Sequence, residues 1–329
     1  MKEERIRNTV YTIGEALIDF VPAETGCGLK NVTGFMKAAG GAPANVACAV
    51  SKLGGRSAFI GKLGLDPFGD FLADTMAAEG VDVSRIRRTA EAGTALAFVS
   101  LQADGNREFS FYRNPSADML LDEGEIEESW FAEGDILHFG SVNLIDAPVK
   151  EAHRKAIRFV RERGGIVSFD PNVRLPLWSD PQRCRDAILE FLPLCQLVKI
   201  SDEELSFITG IEDEEDALQS LFVGDVEHVL YTRGAQGADW VSKTFRIHVP
   251  GLNVQAVDTT GAGDAFVGAI LYQLQGAGKL GLPDAAAAAE MLRFANKAAG
   301  MTTLGRGAIP SLPSYEEVMS PDGAVGIKF

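Results

Sequence analysis

Asp258-Thr259-Thr260-Gly261-Ala262-Gly263-Asp264-Ala265-Phe266-Val267-Gly268 is the stretch of this chain best equipped for chemistry. It follows a β-rich run, Thr244–Val257, and opens a helix, because apolar Phe266, Ala269, Ile270 and Leu274 recur at helical spacing beyond it. Gly261 and Gly263 let the backbone turn sharply and bring bare amides close to a ligand. Those amides head a helix, where unpaired N–H groups and the dipole favour an anion. Asp264 stands in the same turn, and an acid there has a use if it takes a proton. The amides of Gly261, Ala262 and Gly263 would stabilise a migrating phosphoryl group while Asp264 deprotonates the attacking hydroxyl. Taken alone, the same residues also spell an ordinary glycine turn with Asp264 complementing the dipole.

A second segment, Gly40-Gly41-Ala42-Pro43-Ala44-Asn45-Val46-Ala47-Cys48-Ala49, places a double glycine before a helix with Pro43 in its first turn and Gly54-Gly55 at its end. Exposed amides and the donor and acceptor of Asn45 suit a polyhydroxylated ligand. A tightly packed structural helix is the alternative. Asp19 follows apolar Ala16-Leu17-Ile18, where a carboxylate needs partners; it is free to grip two hydroxyls or to face water. Arg174 could reach a phosphate or sugar oxygen, or pair with a surface acid.

These residues must be held by a scaffold of alternating strands and helices. Strands are expected at Val10–Ile13, Ala58–Lys62, Asp135–Phe139, Ile166–Asp170, Leu197–Ile200 and Val229–Thr232. Helices are expected at Pro43–Leu53, Phe68–Ala78, Pro148–Arg163, Pro181–Phe191, Asp202–Ile208 and Pro283–Ala299, the last with Pro283-Asp284 in its first turn. The pattern predicts an α/β fold with a mostly parallel sheet covered on both faces. Thr94–Leu101 and Glu108–Arg113 break the alternation as a hairpin around Asp104-Gly105, with Phe109, Phe111 and Arg113 on one face. Arg113 then points into a cleft under the hairpin or snorkels to water. Ala16–Phe20 and Asn31–Met36 are read as further strands of that small sheet. The expectation is one domain over residues 1–329, with a discontinuous β lid from about 15–37 and 93–114. The acidic run Glu212–Asp216 reads as a solvated loop entering a helix, and Cys48 and Trp178 as packing residues.

Composition narrows the classes. The chain has 329 residues, 46% hydrophobic, with a net charge of −15. That balance is globular and a poor match for nucleic acid, which needs clustered Lys and Arg. Its longest uncharged runs, Ala38–Ser51 and Ala265–Gly278, contain glycine and fall short of the roughly 18 apolar residues of a spanning helix. The start of the chain does not read as a secretory signal. Cys27, Cys48, Cys184 and Cys195 show no C-x-x-C spacing, so reduced thiols in a cytoplasm are expected. No G-x-x-x-x-G-K-[ST] loop, dinucleotide fingerprint or H-E-x-x-H is present.

The two glycine segments, in this order and near opposite ends of the chain, resemble the signatures of the ribokinase-like (PfkB) carbohydrate kinases, and the resemblance covers essentially the whole chain. Within that family Gly14–Phe20, Phe111–Met119 and Asp170–Trp178 look most like fructokinase segments. The resemblance implies a three-layer α/β/α core with a small β-sheet lid, and ATP-dependent phosphorylation of a sugar primary hydroxyl, D-fructose first. A 2-keto-3-deoxygluconate kinase is the second reading, its acid substrate matched by Arg113 and Arg174. A kinase-shaped binding protein without catalysis is a third.

The resemblance also assigns roles. Asp264 is the base and Gly261–Gly263 the anion hole, while Asp19, Gly40, Gly41, Asn45, Arg113 and Arg174 face the sugar. Lys199, Thr232, Gly234, Gly237 and Asn296 face the nucleotide. Glu204 helps hold Mg²⁺ through water, in a Ser201-Asp202-Glu203-Glu204 segment where Ser201 replaces the usual asparagine. Asp258, Thr260, Thr303, Arg306 and Ala308 match a monovalent cation site, K⁺ by expectation. No membrane or nucleic-acid partner is implied, and the apolar hairpin edge points to a homodimer through the lid.

Overall fold

The central strands are apolar on both faces, so they must be covered from two sides. The computed structural model describes residues 8–24, 26–101, 107–276 and 281–320; the Asp104-Gly105 turn lies outside these residues. The strands are β1 (Val10–Ile13), β2 (Leu17–Pro22), β3 (Phe35–Gly40), β4 (Ser57–Gly64), β5 (Ile86–Thr89), β6 (Leu96–Leu101) and β7 (Arg107–Tyr112). They continue with β8 (Ile136–Gly140), β9 (Ile166–Asp170), β10 (Leu197–Ser201), β11 (His228–Thr232), β12 (Ala238–Ser242) and β13 (Arg246–Val249). The helices are α1 (Ala42–Lys52), α2 (Pro67–Ala78), α3 (Pro148–Glu162), α4 (Pro181–Phe191) and α5 (Asp202–Thr209). After them come α6 (Glu214–Ser220), α7 (Ala262–Gly276), α8 (Ala285–Thr302), α9 (Ala308–Ser311) and α10 (Tyr315–Met319).

Nine strands form one sheet in the order β13-β12-β11-β10-β9-β8-β1-β4-β5. All neighbours are parallel except β11–β12 and β12–β13. Ile13, Phe139, Phe169, Ile200 and Tyr231 pack on α3, α4, α5 and α6. From the same strands Val10, Ile136, Ile166, Leu197 and Leu230 face α1, α7 and α8 on the other side. This is the expected three-layer core. Strand order runs both ways from β1, and the open ends beside such a switch point are where ligands bind in α/β sheets.

The small second sheet has the order β3-β2-β6-β7, with β2–β6 parallel and the other pairs antiparallel. Phe20 stacks on Phe98 and meets Phe68 of α2 edge-on, which fixes one face of this sheet against the core.

Several expectations need correction. Asn31 ends a 3₁₀ turn and β3 begins only at Phe35, running on to Gly40, so the first segment of the small sheet extends beyond residue 37. Of the β-rich run Thr244–Val257, only Arg246–Val249 is strand. β5 and β12 were not anticipated. Asp284 caps α8 through the amide of Ala287, leaving Pro283 outside the helix. The Glu212–Asp216 run does enter α6, but Glu214 and Glu215 also pair with Arg246. Cys48 is core, as expected, and Trp178 packs partly buried against the other core cluster, the one covered by α3, α4, α5 and α6. No helix of the described residues is long and apolar enough to cross a membrane.

Candidate active site

Two helix N-termini meet where the strands end. Gly41 caps α1 with φ +105°, and a Cβ there would lie 2.5 Å from the carbonyl of Glu15, so only glycine fits. Gly261 precedes α7 with φ +79° and packs against Ala308 just as closely. Ala262 N–H turns back to Thr259, while Gly263 and Asp264 lie in the first helical turn, where no intrahelical acceptor exists. Across this junction Asn45 Nδ2 donates to Asp264 Oδ2 at 2.7 Å. That bond joins the two glycine segments, 219 residues apart.

The charges around the bond form a compact set. Burial raises the Asp264 carboxyl above the usual carboxylate range, while Asn45, Arg174 and Lys199 pull it back. Asp19, on β2, is pushed up to about 6 by burial, against the attraction of Arg174 and with a further push from Asp264. Gly40 makes room for Asp19: a Cβ there would stand 2.1 Å from Asp19 Oδ2. Arg174 itself is exposed, and among the described residues its guanidinium donates to the carbonyl of its neighbour Val173.

Lys199 occupies the other flank. Its Nζ lies 3.2 Å from Asp170 and 3.9 Å from Glu204, and 3.8 Å from where a Gly263 Cβ would be. Burial alone would lower this ammonium; Asp170 and Glu204 outweigh it and raise the pKa, so Lys199 stays charged. Asp170 is pushed up to about 6, mainly by burial and partly by Glu204 and Asp264, against Lys199. Glu204 is buried as well, but Lys199 and the donors from Ser201 and Val173 more than offset that and hold its carboxyl low. Its Oε1 accepts from Val173 N–H at 2.7 Å, and its Oε2 accepts from Ser201 N–H and Oγ–H at 3.0 and 2.9 Å. Ser201 thus has a structural use at the head of α5. Glu204 ties that helix to the loop carrying Asp170 and Arg174.

Arg113 does not snorkel. Its guanidinium is 5% exposed, donates twice to Asp118 Oδ2 and once to Val142 O, and is shared with buried Asn143 through the same carboxylate. Glu15 beside it is pushed up to about 7 by burial, with Arg113 opposing. Asp118, Asn143, Glu15 and Asp170 are the polar residues that sequence reasoning missed. Only Asp170 carried a signal, as the acid ending an otherwise apolar buried strand.

The nucleotide-side residues converge elsewhere. Thr232 ends β11, and Gly234 and Gly237 bound a tight turn with φ +51° and +99°. A Gly237 Cβ would strike Val249 O at 2.2 Å, and Asn296 Nδ2 of α8 donates to Val249 O and Pro250 O. Gly237 and Asn296 therefore grip the same segment from two sides. Lys199 is not part of this group; it sits at the Gly263 end.

The residues matched to a monovalent cation do come together. Asp258 Oδ1 accepts from Thr260 N–H and Oγ–H, and Asp258 Oδ2 from Gly307 N–H. Val257 and Asp258 amides both bond Thr303 O, and Ala308 touches Gly261. Two loops rich in backbone carbonyls and one carboxylate fit a hard cation with oxygen ligands. Arg306 adjoins Gly307 in the second loop. Among the described residues no three or more His, Cys, Asp or Glu side chains are grouped to hold a metal by themselves. Asp170 and Glu204 both face the Lys199 ammonium, and Glu204, the residue matched to hydrated Mg²⁺, fits that role through water, since its oxygens already accept from Val173 and Ser201.

With this three-layer α/β core and the glycine-headed helices on the page, the chain belongs to the pfkB family carbohydrate kinases, whose profile matches residues 7–315. It is 46% identical over 316 residues to probable fructokinase-4 of Arabidopsis thaliana, covering 95% of this chain and 96% of that one. Among solved structures, fructokinase with bound ATP from Xylella fastidiosa is similar with a TM-score of 0.86 at 37% identity, covering 95% of this chain and 98% of that chain. A fructokinase double mutant from Vibrio cholerae O395, bound to fructose, ADP and potassium ion, gives 0.85 at 35% identity, with 95% and 97% covered.

Proposed function

We propose that this protein transfers the γ-phosphoryl group of ATP to the primary hydroxyl of D-fructose, forming fructose 6-phosphate. The observation that carries the reading is the Asn45–Asp264 hydrogen bond, which sets a half-buried acid between the head of α7 and the polar head of α1. Asp264 accepts the hydroxyl proton as the oxygen attacks in line. The first-turn amides of α7 and Lys199 stabilise charge on the migrating group. Asp19, Gly41 and Arg174 hold the sugar, and the turn at Gly234–Gly237 with Asn296 flanks the nucleotide base. Mg²⁺ would be held by the phosphates and, through water, by Glu204 and Asp170, where it neutralises phosphate charge. K⁺ would be held by Asp258, Thr260, Thr303, Arg306 and Ala308 beside the anion hole.

The small sheet acts as a lid that closes over the sugar and excludes water, itself a competing acceptor. Val21 and Met36, 39% and 61% exposed, and the edges of β3 and β7, unpaired among the described residues, support a dimer formed through it. The four cysteines are free, which agrees with a cytoplasmic setting.

A sugar-acid substrate is less well served. Of the two guanidiniums it would call on, Arg113 is committed to Asp118. The test is ATP consumption with fructose, ribose, adenosine and 2-keto-3-deoxygluconate, run with and without K⁺. Fastest turnover with fructose is expected; fastest turnover with the acid would overturn the choice of sugar. Asp264→Asn should lose about 10²–10⁴ in kcat while still binding fructose. Near-full turnover of that variant would remove Asp264 from the chemistry.

A further inference from the structure

The β13 end of the nine-stranded sheet carries a set of charges that the chemistry above does not use. Asp239 of β12 is 2% exposed and stands directly opposite Tyr231 of β11 and His248 of β13 in the register of the three strands. Its Oδ2 accepts from Arg246 Nε and Nη2 at 2.8 and 2.6 Å and from Arg233 Nη2 at 3.1 Å. Its Oδ1 lies 2.6 Å from His248 Nδ1. Glu214 of α6 completes the set, accepting from Arg233 at 2.8 Å and from Arg246 at 2.9 Å.

Val229, Tyr231 and Val241 on the same face belong to the apolar core, and an apolar residue at 239 would extend that core with no charge to desolvate. What the carboxylate adds is position. Arg233 lies inside the turn, between Thr232 and Gly234, and its backbone N–H donates to Gly237 O at 2.8 Å. Its Nε is buried with no partner among the described residues, so the guanidinium sits where the two acids pull it rather than where all its donors are met. On the other side His248 precedes Val249, whose carbonyl faces Gly237 and accepts from Asn296 Nδ2 at 2.8 Å. One buried carboxylate therefore holds both segments that meet there: the Gly234–Gly237 turn through Arg233, and Val249–Pro250 through His248 and Arg246.

We propose that Asp239 is a positioning residue for the nucleotide: by tying Arg233 to β13 it sets the spacing between the turn and the Val249–Pro250 segment that flank the base of ATP. The proposal rests on the reading that this turn faces the nucleotide. Asp239 acts through its partners and not on the reacting atoms, so it governs how well ATP is held rather than how fast the bound phosphoryl group moves.

The test is steady-state kinetics with ATP and fructose each varied, in wild type, Asp239→Asn, Arg246→Met and Gly237→Ala, with thermal unfolding of each to record whether it folds. Asp239→Asn keeps the shape of the side chain and removes its charge. It should raise the KM for ATP about tenfold, the loss of one charge-assisted hydrogen bond, with kcat and the fructose KM unchanged. Arg246 is 32% exposed and can be removed without opening the core, so Arg246→Met decides the matter if Asp239→Asn does not fold. It should raise the ATP KM about threefold, as expected for a half-exposed partner. Gly237→Ala puts a Cβ 2.2 Å from Val249 O, disturbs the turn directly and should raise the ATP KM in any case. An ATP KM unmoved in Asp239→Asn and Arg246→Met but raised in Gly237→Ala would overturn the proposal and leave the network a brace for the sheet edge. So would a fructose KM that rises by the same factor as the ATP KM. An ATP KM unmoved in all three would instead defeat the placing of the nucleotide at this turn, so the two failures are told apart.

Discussion

Asp264 works in a place that penalises its own charge. Burial raises its carboxyl, and a base must be ionised to act, so activity is present above its pKa and lost as pH falls through it. The expected outcome is a kcat that falls on the acid side with a limb displaced towards neutrality from the ordinary aspartate range. Asp19, pushed up to about 6, should appear separately, as a fructose KM that rises as pH drops through that value while kcat keeps its own limb. Steady-state kinetics between pH 5 and 9 (roughly the stable range of most folded chains) checks both. Asp264, Asn45 and Asp19 were legible in the sequence because glycine spacing and helix heads are local signals. Asp118 was not, because its burial depends on Asn143 as well as on nearby Arg113, and Asp170 showed only as the acid ending an apolar strand, its partner Lys199 lying 29 residues away.

At the scale of elements, helix heads are set by backbone freedom. Gly41→Ala forces an L residue to φ +105° and a contact 2.5 Å from Glu15 O, so it should cost about 1–3 kcal/mol of stability and displace the head of α1. Denaturant unfolding, with fructose turnover alongside, measures both effects. The parallel strands were legible as apolar runs, since burial on both faces leaves no polar alternation to confuse them. β12 was hidden because Ala238-Asp239-Trp240-Val241-Ser242 carries a charge in its middle. Asp239 is buried there because Arg233, Arg246 and His248 meet it from neighbouring positions. β3 was misplaced for a related reason: Lys37, Ala38, Ala39 and Gly40 have weak strand propensity of their own and are strand because they pair with Leu17–Phe20.

At the scale of the whole molecule, the small sheet stands apart from the nine-stranded one and carries Asp19 over the site. Its exposed Val21 and Met36 should meet their like in a second copy. Light scattering is expected to give a dimer, and the double substitution of Val21→Lys and Met36→Lys a monomer with an increased fructose KM; a wild-type monomer at assay concentrations would remove this contact. The fold class was readable throughout from the order of elements.

The account turns on one meeting of atoms, and a crystal structure with fructose and a non-hydrolysable ATP analogue observes it directly. The sugar's primary hydroxyl should lie within hydrogen-bond reach of Asp264, about 2.6–3.2 Å, and in line with a γ-phosphate seated on the first-turn amides of α7. A hydroxyl held away from that carboxylate, with the phosphate seated elsewhere, would contradict the mechanism whatever the likeness of the chain to its relatives.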